Sequence, residues 1–292
     1  MSNPALGGGG GGSQHEFVDL HTHSTASDGS RTPADVVVAA RTAGLAAFAL
    51  TDHDTIAGLS DARVAGSQHG VRVISGVELS AVEGEIETHI LGLHLSELVE
   101  LEHRLVGLRE MRVTRATRIV ERLNALGISI TFEAVLQQAA GGALGRPHVA
   151  RALIAGGFAT DFREAFERYL GNGKPAFVAK DRLPLAEAIG LIHRAGGLAV
   201  LAHPGHDATR ERLALLAALG LDGVEVLHPS HSWDESQRLD ALAGELELVR
   251  SGGSDWHGAP DGARTLGMMR VPSQWLVDQE KRVATRRSRR VA

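Results

Sequence analysis

Short apolar runs rich in Val, Ile and Leu recur along most of this chain, and most of them lead into a histidine or an acid. The runs are Phe17–Leu20, Ala47–Leu50, Arg72–Ser75, Thr88–Leu93, Leu198–Ala202, Gly223–Leu227 and Leu246–Arg250, with amphipathic stretches between most of them. Extended runs alternating with helical periodicity are the pattern of repeated βα units around a parallel sheet or barrel. Helix punctuation agrees: Thr32 is placed to cap a helix that Pro33 starts and Gly44 closes. An α/β barrel gathers the C-terminal ends of its strands around one shared site.

From about Ser96 to Gly173 the alternation breaks. Leu98, Leu101, Leu105 and Leu108 recur at helical spacing, Ile119, Leu123 and Leu126 continue the stripe, and Phe162, Phe166 and Leu170 form another. Residues 96–174 therefore read as a small all-helical insertion covering one end of the sheet layer, interrupting a barrel made of 15–95 and 175–277. Residues 1–14, dominated by the run Gly7–Gly12, have no apolar surface to bury and are expected to form a flexible tail. Residues 278–292 carry Lys281, Arg282, Arg286, Arg287, Arg289 and Arg290 and are expected to be a basic, frayed terminus, with RNA tethering as its functional alternative.

No cysteine occurs, which excludes disulfide frameworks, thiolate metal sites and cysteine nucleophiles, so any metal must be held by His, Asp or Glu. A balance of 30 basic against 35 acidic residues does not make a general coat for phosphate backbones. No apolar stretch reaches membrane-spanning length, and the N-terminus lacks the basic start and apolar run of a signal peptide. A cytoplasmic location without membrane contact or a stable protein partner is the expectation. The unusual number is 15 histidines.

They cluster where the barrel reading puts strand ends. Asp19-Leu20-His21-Thr22-His23 follows the first run, and its two imidazoles alternate on an extended backbone and so point the same way. Asp28 lies in the next loop, Asp52-His53-Asp54 follows the second run, and Glu78 the third. Later come His203-Pro204, then His228-Pro229 with His231, then Ser254-Asp255-Trp256-His257. Imidazoles and carboxylates gathered without sulfur suit Mn²⁺, Zn²⁺ or Fe²⁺.

The series D-x-H-x-H-S, T-D-H-D, G-x-E, A-H-P and G-S-D-x-H-G resembles the PHP (polymerase and histidinol phosphatase) family over nearly the whole chain. The resemblance implies a distorted (β/α)7 barrel and a metal-dependent phosphoesterase. It implies three divalent ions, with Mn²⁺ preferred: His21, His23, Glu78 and Asp255 on the first, Glu78, His89 and His203 on the second, and Asp28, His53 and His257 on the third. His89 begins its apolar run rather than ending it, and His94 is the alternative. Such ions polarise phosphoryl oxygens and lower the pKa of a bridging water that attacks phosphorus. Asp255 then counts among the catalytic groups as well as the ligands. For protonation of the leaving oxygen His231, Asp54 and His206 stand open, and His228 and His231 are equally placed to support a ligand.

Within the insertion, Gly145-Arg146-Pro147-His148 and Gly171-Asn172-Gly173-Lys174-Pro175 resemble the 3′,5′-nucleoside bisphosphate phosphatase and short-RNA 5′-3′ exonuclease members of that family. The implied reaction removes the 3′-phosphate of a nucleoside 3′,5′-bisphosphate, with Arg146, His148, Lys174 and His206 as substrate contacts and Arg146 presenting a bidentate fork. Trp256 could wall the base. The partner is a small nucleotide, or else the end of a short RNA. Histidinol phosphatase activity and a non-catalytic PHP module are the remaining readings.

Overall fold

The computed structural model describes residues 16–84, 86–139, 144–179, 183–259 and 264–291. The glycine-rich segment expected over 1–14 lies outside the described residues. The strands are β1 (Phe17–Asp19), β2 (Ala47–Leu50), β3 (Arg72–Glu83), β4 (Ile86–Leu93), β5 (Leu183–Pro184), β6 (Leu198–Leu201), β7 (Gly223–Leu227), β8 (Val249–Gly252) and β9 (Val271–Pro272). They form one sheet in the order β8-β7-β6-β4-β3-β2-β1-β9, with β5 beside β3. Where β1 and β8 end, the segments that follow them meet, through Leu20 N–H donating to Gly252 O (3.0 Å) and Asp255 N–H to His21 O (2.9 Å), so the sheet curls into a nearly closed barrel.

Helices α1 (Pro33–Thr42), α2 (Leu59–His69), α7 (Leu185–Arg194), α8 (Arg210–Ala218) and α9 (Trp233–Glu245) wrap the outside. Alternate strand residues face them: Phe48, Leu50, Val77, Leu79, Ile90 and Leu201 join the helix residues Val36, Ala62, Ile189 and Leu213 in one core. The intervening set, Val18, Ala47, Ala49, Leu91, Leu93 and Val200, packs separately. Pro33 sits at the first turn of α1, and the Thr32 hydroxyl accepts from Asp35 N–H, as its sequence demands.

Two expectations are corrected. The sheet is not uniformly parallel: β3 runs on to Glu83 and turns back as an antiparallel hairpin with β4, which also runs antiparallel to β6. The basic terminus is not a frayed tail but α10 (Ser273–Val291), and its Leu276, Gln279 and Val283 are buried. Three residues at roughly helical spacing dock that face, while Arg286 pairs with buried Asp222 and Arg282 donates to Glu247 O.

The insertion comprises α3 (Leu98–Ala125), α4 (Phe132–Ala139), α5 (Arg146–Ala155) and α6 (Phe162–Ala165), the last running into a wider turn over Phe166–Leu170. Leu101, Leu105 and Leu108 of α3 pack in the barrel core. Ile119 and Leu123, further along the same helix, pack with Val149, Leu153 and Leu170 in a core of their own. One long helix thus fixes the insertion over the barrel.

Candidate metal centre

The residues assigned to ions converge. His21, His23, Glu78 and Asp255 form one group, His23, Asp28, His53 and His257 a second, and His53, Glu78 and His89 a third, each with donor atoms within 4.8 Å of one another. His203 joins through Nε2, 3.2 Å from Glu78 Oε1. Glu78 is the hub, and it lies inside the long β3 rather than after a strand.

The hairpin also explains His89. Because β4 runs antiparallel, its beginning lies where the parallel strands end, opposite Ser80 of β3. His94, at the other end of β4, bonds Gln279 of α10 (3.1 Å) and is no part of the cluster.

His21, His23 and Glu78 are fully buried. Among the described residues, both ring nitrogens of His23 and Nδ1 of His89 make no well-aligned hydrogen bond, although Asp255 Oδ1 stands 3.0 Å from His23 Nε2 and Glu78 Oε1 2.8 Å from His89 Nδ1. Buried polar atoms without a well-aligned partner are costly, by about 1–3 kcal/mol where wholly unpaired, and an ion held by these nitrogen and oxygen atoms would satisfy them. Electrostatics agree. Burial would lower His21, but Glu225 and Glu78 hold its pKa well above the ordinary value. His23, equally desolvated, is raised to about 9 by Asp255 and Glu78. Burial works against the Glu78 charge too, yet the imidazoles, His21 foremost, hold it well below the carboxylate range. His53, where burial dominates, falls to about 4. These groups share protons that a divalent cation would displace.

Glu225 and Arg264 escaped the sequence reading, which had named Asp52 among its motifs and His228 as placed to support a ligand. Glu225, buried in β7, takes His21 Nδ1 (3.1 Å) and the His203 N–H (2.7 Å). A lone carboxylate inside the run Gly223–Leu227 was its signal. Asp255 turns Oδ1 to His23 (3.0 Å) and gives Oδ2 to Arg264 and to His228 (3.4 Å). Nothing in the sequence marks Arg264. Asp52 accepts from Ser24 and Ser27, shaping the loop that leads to Asp28.

The proton-donor candidates stand elsewhere. Asp54 is buried and accepts from Ser80 N–H and Oγ (2.9 Å each) and from Arg112, so it anchors the insertion. His231 spends both nitrogens on backbone, Nδ1–H on Val226 O (3.0 Å) and Nε2 on Gly205 N–H (3.1 Å). The His206 side chain is 89% exposed and pairs with Asp207. Trp256 is buried, with its N–H given to Ala259 O (3.1 Å), and is not among the residues lining the cavity beside the histidine cluster.

Between barrel and insertion lies a cavity of about 810 Å³. Asp28, His53, His89 and His257 line it from the barrel, and Arg112, Arg115, Arg146, Arg151 and His148 line it from α3 and α5. Arg146 is braced by Leu170 O and Asn172 Oδ1 (3.2 Å each) and lies 5.6 Å from the Phe166 and Phe177 rings. His148 Nδ1 accepts Gly145 N–H (3.1 Å), which leaves Nε2–H to donate. Lys174 is exposed and outside the lining, because its turn closes on itself through Lys174 N–H to Gly171 O (3.0 Å).

The PHP domain family matches residues 19–229. A 3′,5′-nucleoside bisphosphate phosphatase of Chromobacterium violaceum is 38% identical over 86% of this chain and 90% of its own. A 5′-3′ exoribonuclease of Haemophilus influenzae is 37% identical over 82% and 89%. A solved structure from Bifidobacterium adolescentis, assigned as a metal-dependent phosphoesterase, superposes with a TM-score of 0.76 at 31% identity, covering 91% of this chain and 96% of the other. The chain belongs to the PHP family of phosphoesterases.

Proposed function

We propose that this protein hydrolyses the 3′-phosphate of nucleoside 3′,5′-bisphosphates, leaving the nucleoside 5′-monophosphate and inorganic phosphate. One observation carries the reading: the cavity has a wall of imidazoles and carboxylates, with the geometry to hold ions, facing a wall of arginines. Two walls that each favour phosphate suit a substrate with two phosphates. The Chromobacterium relative supports it.

Three divalent cations, Mn²⁺ in preference to Zn²⁺ or Fe²⁺, would be held by His21, His23, Glu78 and Asp255, by Glu78, His89 and His203, and by Asp28, His53 and His257. When bound, they polarise the phosphoryl group and make water a competent nucleophile near neutral pH. Glu225 holds His21, and Arg264 with His228 holds Asp255, so the ligands are set before substrate arrives. Arg112, Arg115, Arg146 and Arg151 neutralise the 5′-phosphate, and the His148 Nε2–H donates to it. The wall of arginines opposes the ammonium of histidinol phosphate, which disfavours that substrate. A non-catalytic module would not need every ligand position filled.

Phosphate release by Mn²⁺-loaded protein from adenosine 3′,5′-bisphosphate, histidinol phosphate and a 5′-phosphorylated RNA trimer tests the reading. Rapid release from the bisphosphate with little from histidinol phosphate is expected. Preference for histidinol phosphate, or turnover of none, contradicts it.

A further inference from the structure

At the other end of the barrel a cavity of about 420 Å³ opens between α10 and the strands β3 and β4. Arg72 and Ser75 line it from β3, His94 from the end of β4, and Glu280, Val283 and Arg287 from α10. His89, in the ion-binding cluster, precedes His94 by five residues of extended chain, so about 17 Å of strand separates the two places. Both can be filled at once.

The polar groups at this cavity are held in place rather than left to solvent. His94 has a left-handed backbone, φ 61°, a strained conformation for a residue other than glycine and one that recurs where a chain clamps a ligand. Its ring is fixed by the fully buried Gln279, whose Nε2–H donates to Arg250 O (2.7 Å) and whose Oε1 therefore accepts from His94 Nε2–H (3.1 Å). Burial holds the His94 pKa below its ordinary value, and the neutral ring keeps Nδ1 as an acceptor. Ser75 Oγ accepts from Arg63 Nε (3.1 Å), so its own proton is left to donate. Arg287 is aimed by two main-chain oxygens, His94 O (3.4 Å) and Gly196 O (3.5 Å), which set its direction without cancelling its charge. Arg72 pairs with Glu280, but the two side chains are 56% and 34% exposed, and an ion pair so open to water contributes little. A dianion reaching both guanidiniums can displace that carboxylate.

We propose that this cavity is a binding site for a phosphate monoester, separate from the catalytic cavity. Arg72 and Arg287 supply the countercharge and the Ser75 hydroxyl a neutral donor to the phosphate. The space is larger than a bare phosphate needs and falls within the range of about 300–1,000 Å³ that small-molecule sites occupy. Beyond the arginines, Val73, Leu95, Val283 and Ala284 offer apolar surface to the esterified body, and His94 Nδ1 accepts from an N–H or O–H on it. A nucleoside 5′-monophosphate has all of these parts, whereas inorganic phosphate has only the first.

The test is calorimetric titration of adenosine 5′-monophosphate, and separately of inorganic phosphate, into the Mn²⁺-loaded full chain. It compares wild type with Arg287→Ala, Glu280→Gln and Arg146→Gln, because the arginine wall of the catalytic cavity binds phosphate as well. One equivalent of nucleotide should be weakened by about tenfold or more in Arg287→Ala and left within about twofold in Arg146→Gln. Glu280→Gln should tighten that same equivalent by about threefold, since it removes the carboxylate that competes for Arg72. Inorganic phosphate should bind there at least about fivefold more weakly than the nucleotide. Superimposable isotherms for wild type and Arg287→Ala overturn the site, and so does weaker binding in Glu280→Gln. Inorganic phosphate binding as tightly as the nucleotide overturns recognition of an esterified body. Arg287 and Glu280 lie outside the catalytic cavity, and an unfolding midpoint equal to that of wild type shows that each variant is folded. Binding is read without turnover, so failure of the proposed hydrolysis and failure of this site are separate results.

Discussion

The neighbours of Asp255 show how far residues that touch no ion can orient a proposed ligand. Left to itself a carboxylate rotates between equivalent oxygens, and here Arg264 and His228 hold Oδ2 so that Oδ1 faces His21 (3.4 Å) and His23 (3.0 Å). Replacing Arg264 with alanine is expected to weaken divalent-ion binding by about tenfold, read by titrating metal into the metal-free protein. Unchanged affinity would mean that the ions alone orient Asp255. Protons make a second prediction at this scale. With its pKa raised from 6.5 to about 9, His23 in the metal-free protein carries a proton at pH 7. It stabilises the fold fully below pH 6.5, and that contribution disappears as pH rises through about 9. His53, lowered to about 4, is already neutral at pH 7. Metal binding at pH 7 should therefore release protons and tighten as pH rises, seen as a dependence of calorimetric heat on the buffer's ionisation enthalpy. Heats independent of buffer would contradict the shared-proton picture.

Among the elements, the antiparallel β4 matters most for reading the site from sequence. The histidines and acids at the ends of parallel strands were legible because a period-two run followed by a polar donor has one meaning in a barrel. Glu78 and His89 obeyed a different rule, since a hairpin brings the middle of one strand and the start of the next to the same place. The register Ser80 opposite His89 depends on β3 continuing beyond Ser75, which its mixed polar and apolar ending obscured. At the seam, Gly253 lets two chain segments meet: a Cβ there would stand 2.5 Å from His21 N and Cβ. Helix α10 was misread because its arginines outnumber its apolar residues, yet Leu276 and Val283 are buried and Arg286 reaches buried Asp222. Arg286→Ala is expected to cost about 1–2 kcal/mol in chemical denaturation, since Asp222 keeps His193 and Ala199 N–H as partners. A loss within about 0.3 kcal/mol would fit a frayed terminus instead.

For the whole molecule, the barrel brings the imidazoles and carboxylates and the insertion brings the arginines, and neither alone encloses the cavity. The two are joined tightly, by α3 running through both cores and by Arg112 and Arg109 gripping Asp54 beside His53. Arg146 was visible in the sequence because Gly-Arg-Pro-His marks a helix start. Arg112, Arg115 and Arg151 were not, because on one helix a charge facing a cavity and a charge facing water look alike until the partner surface is placed. The proposed ion-binding wall and the proposed second-phosphate wall meet in a single ratio. We would measure kcat/KM of Mn²⁺-loaded Arg146→Gln against wild type for adenosine 3′,5′-bisphosphate and for an aryl monophosphate. The expected result is a loss of about tenfold or more on the bisphosphate, mostly in KM, with the aryl phosphate changed by less than about twofold. Equal losses on both substrates would contradict a second phosphate at the arginine wall, and with it the central claim.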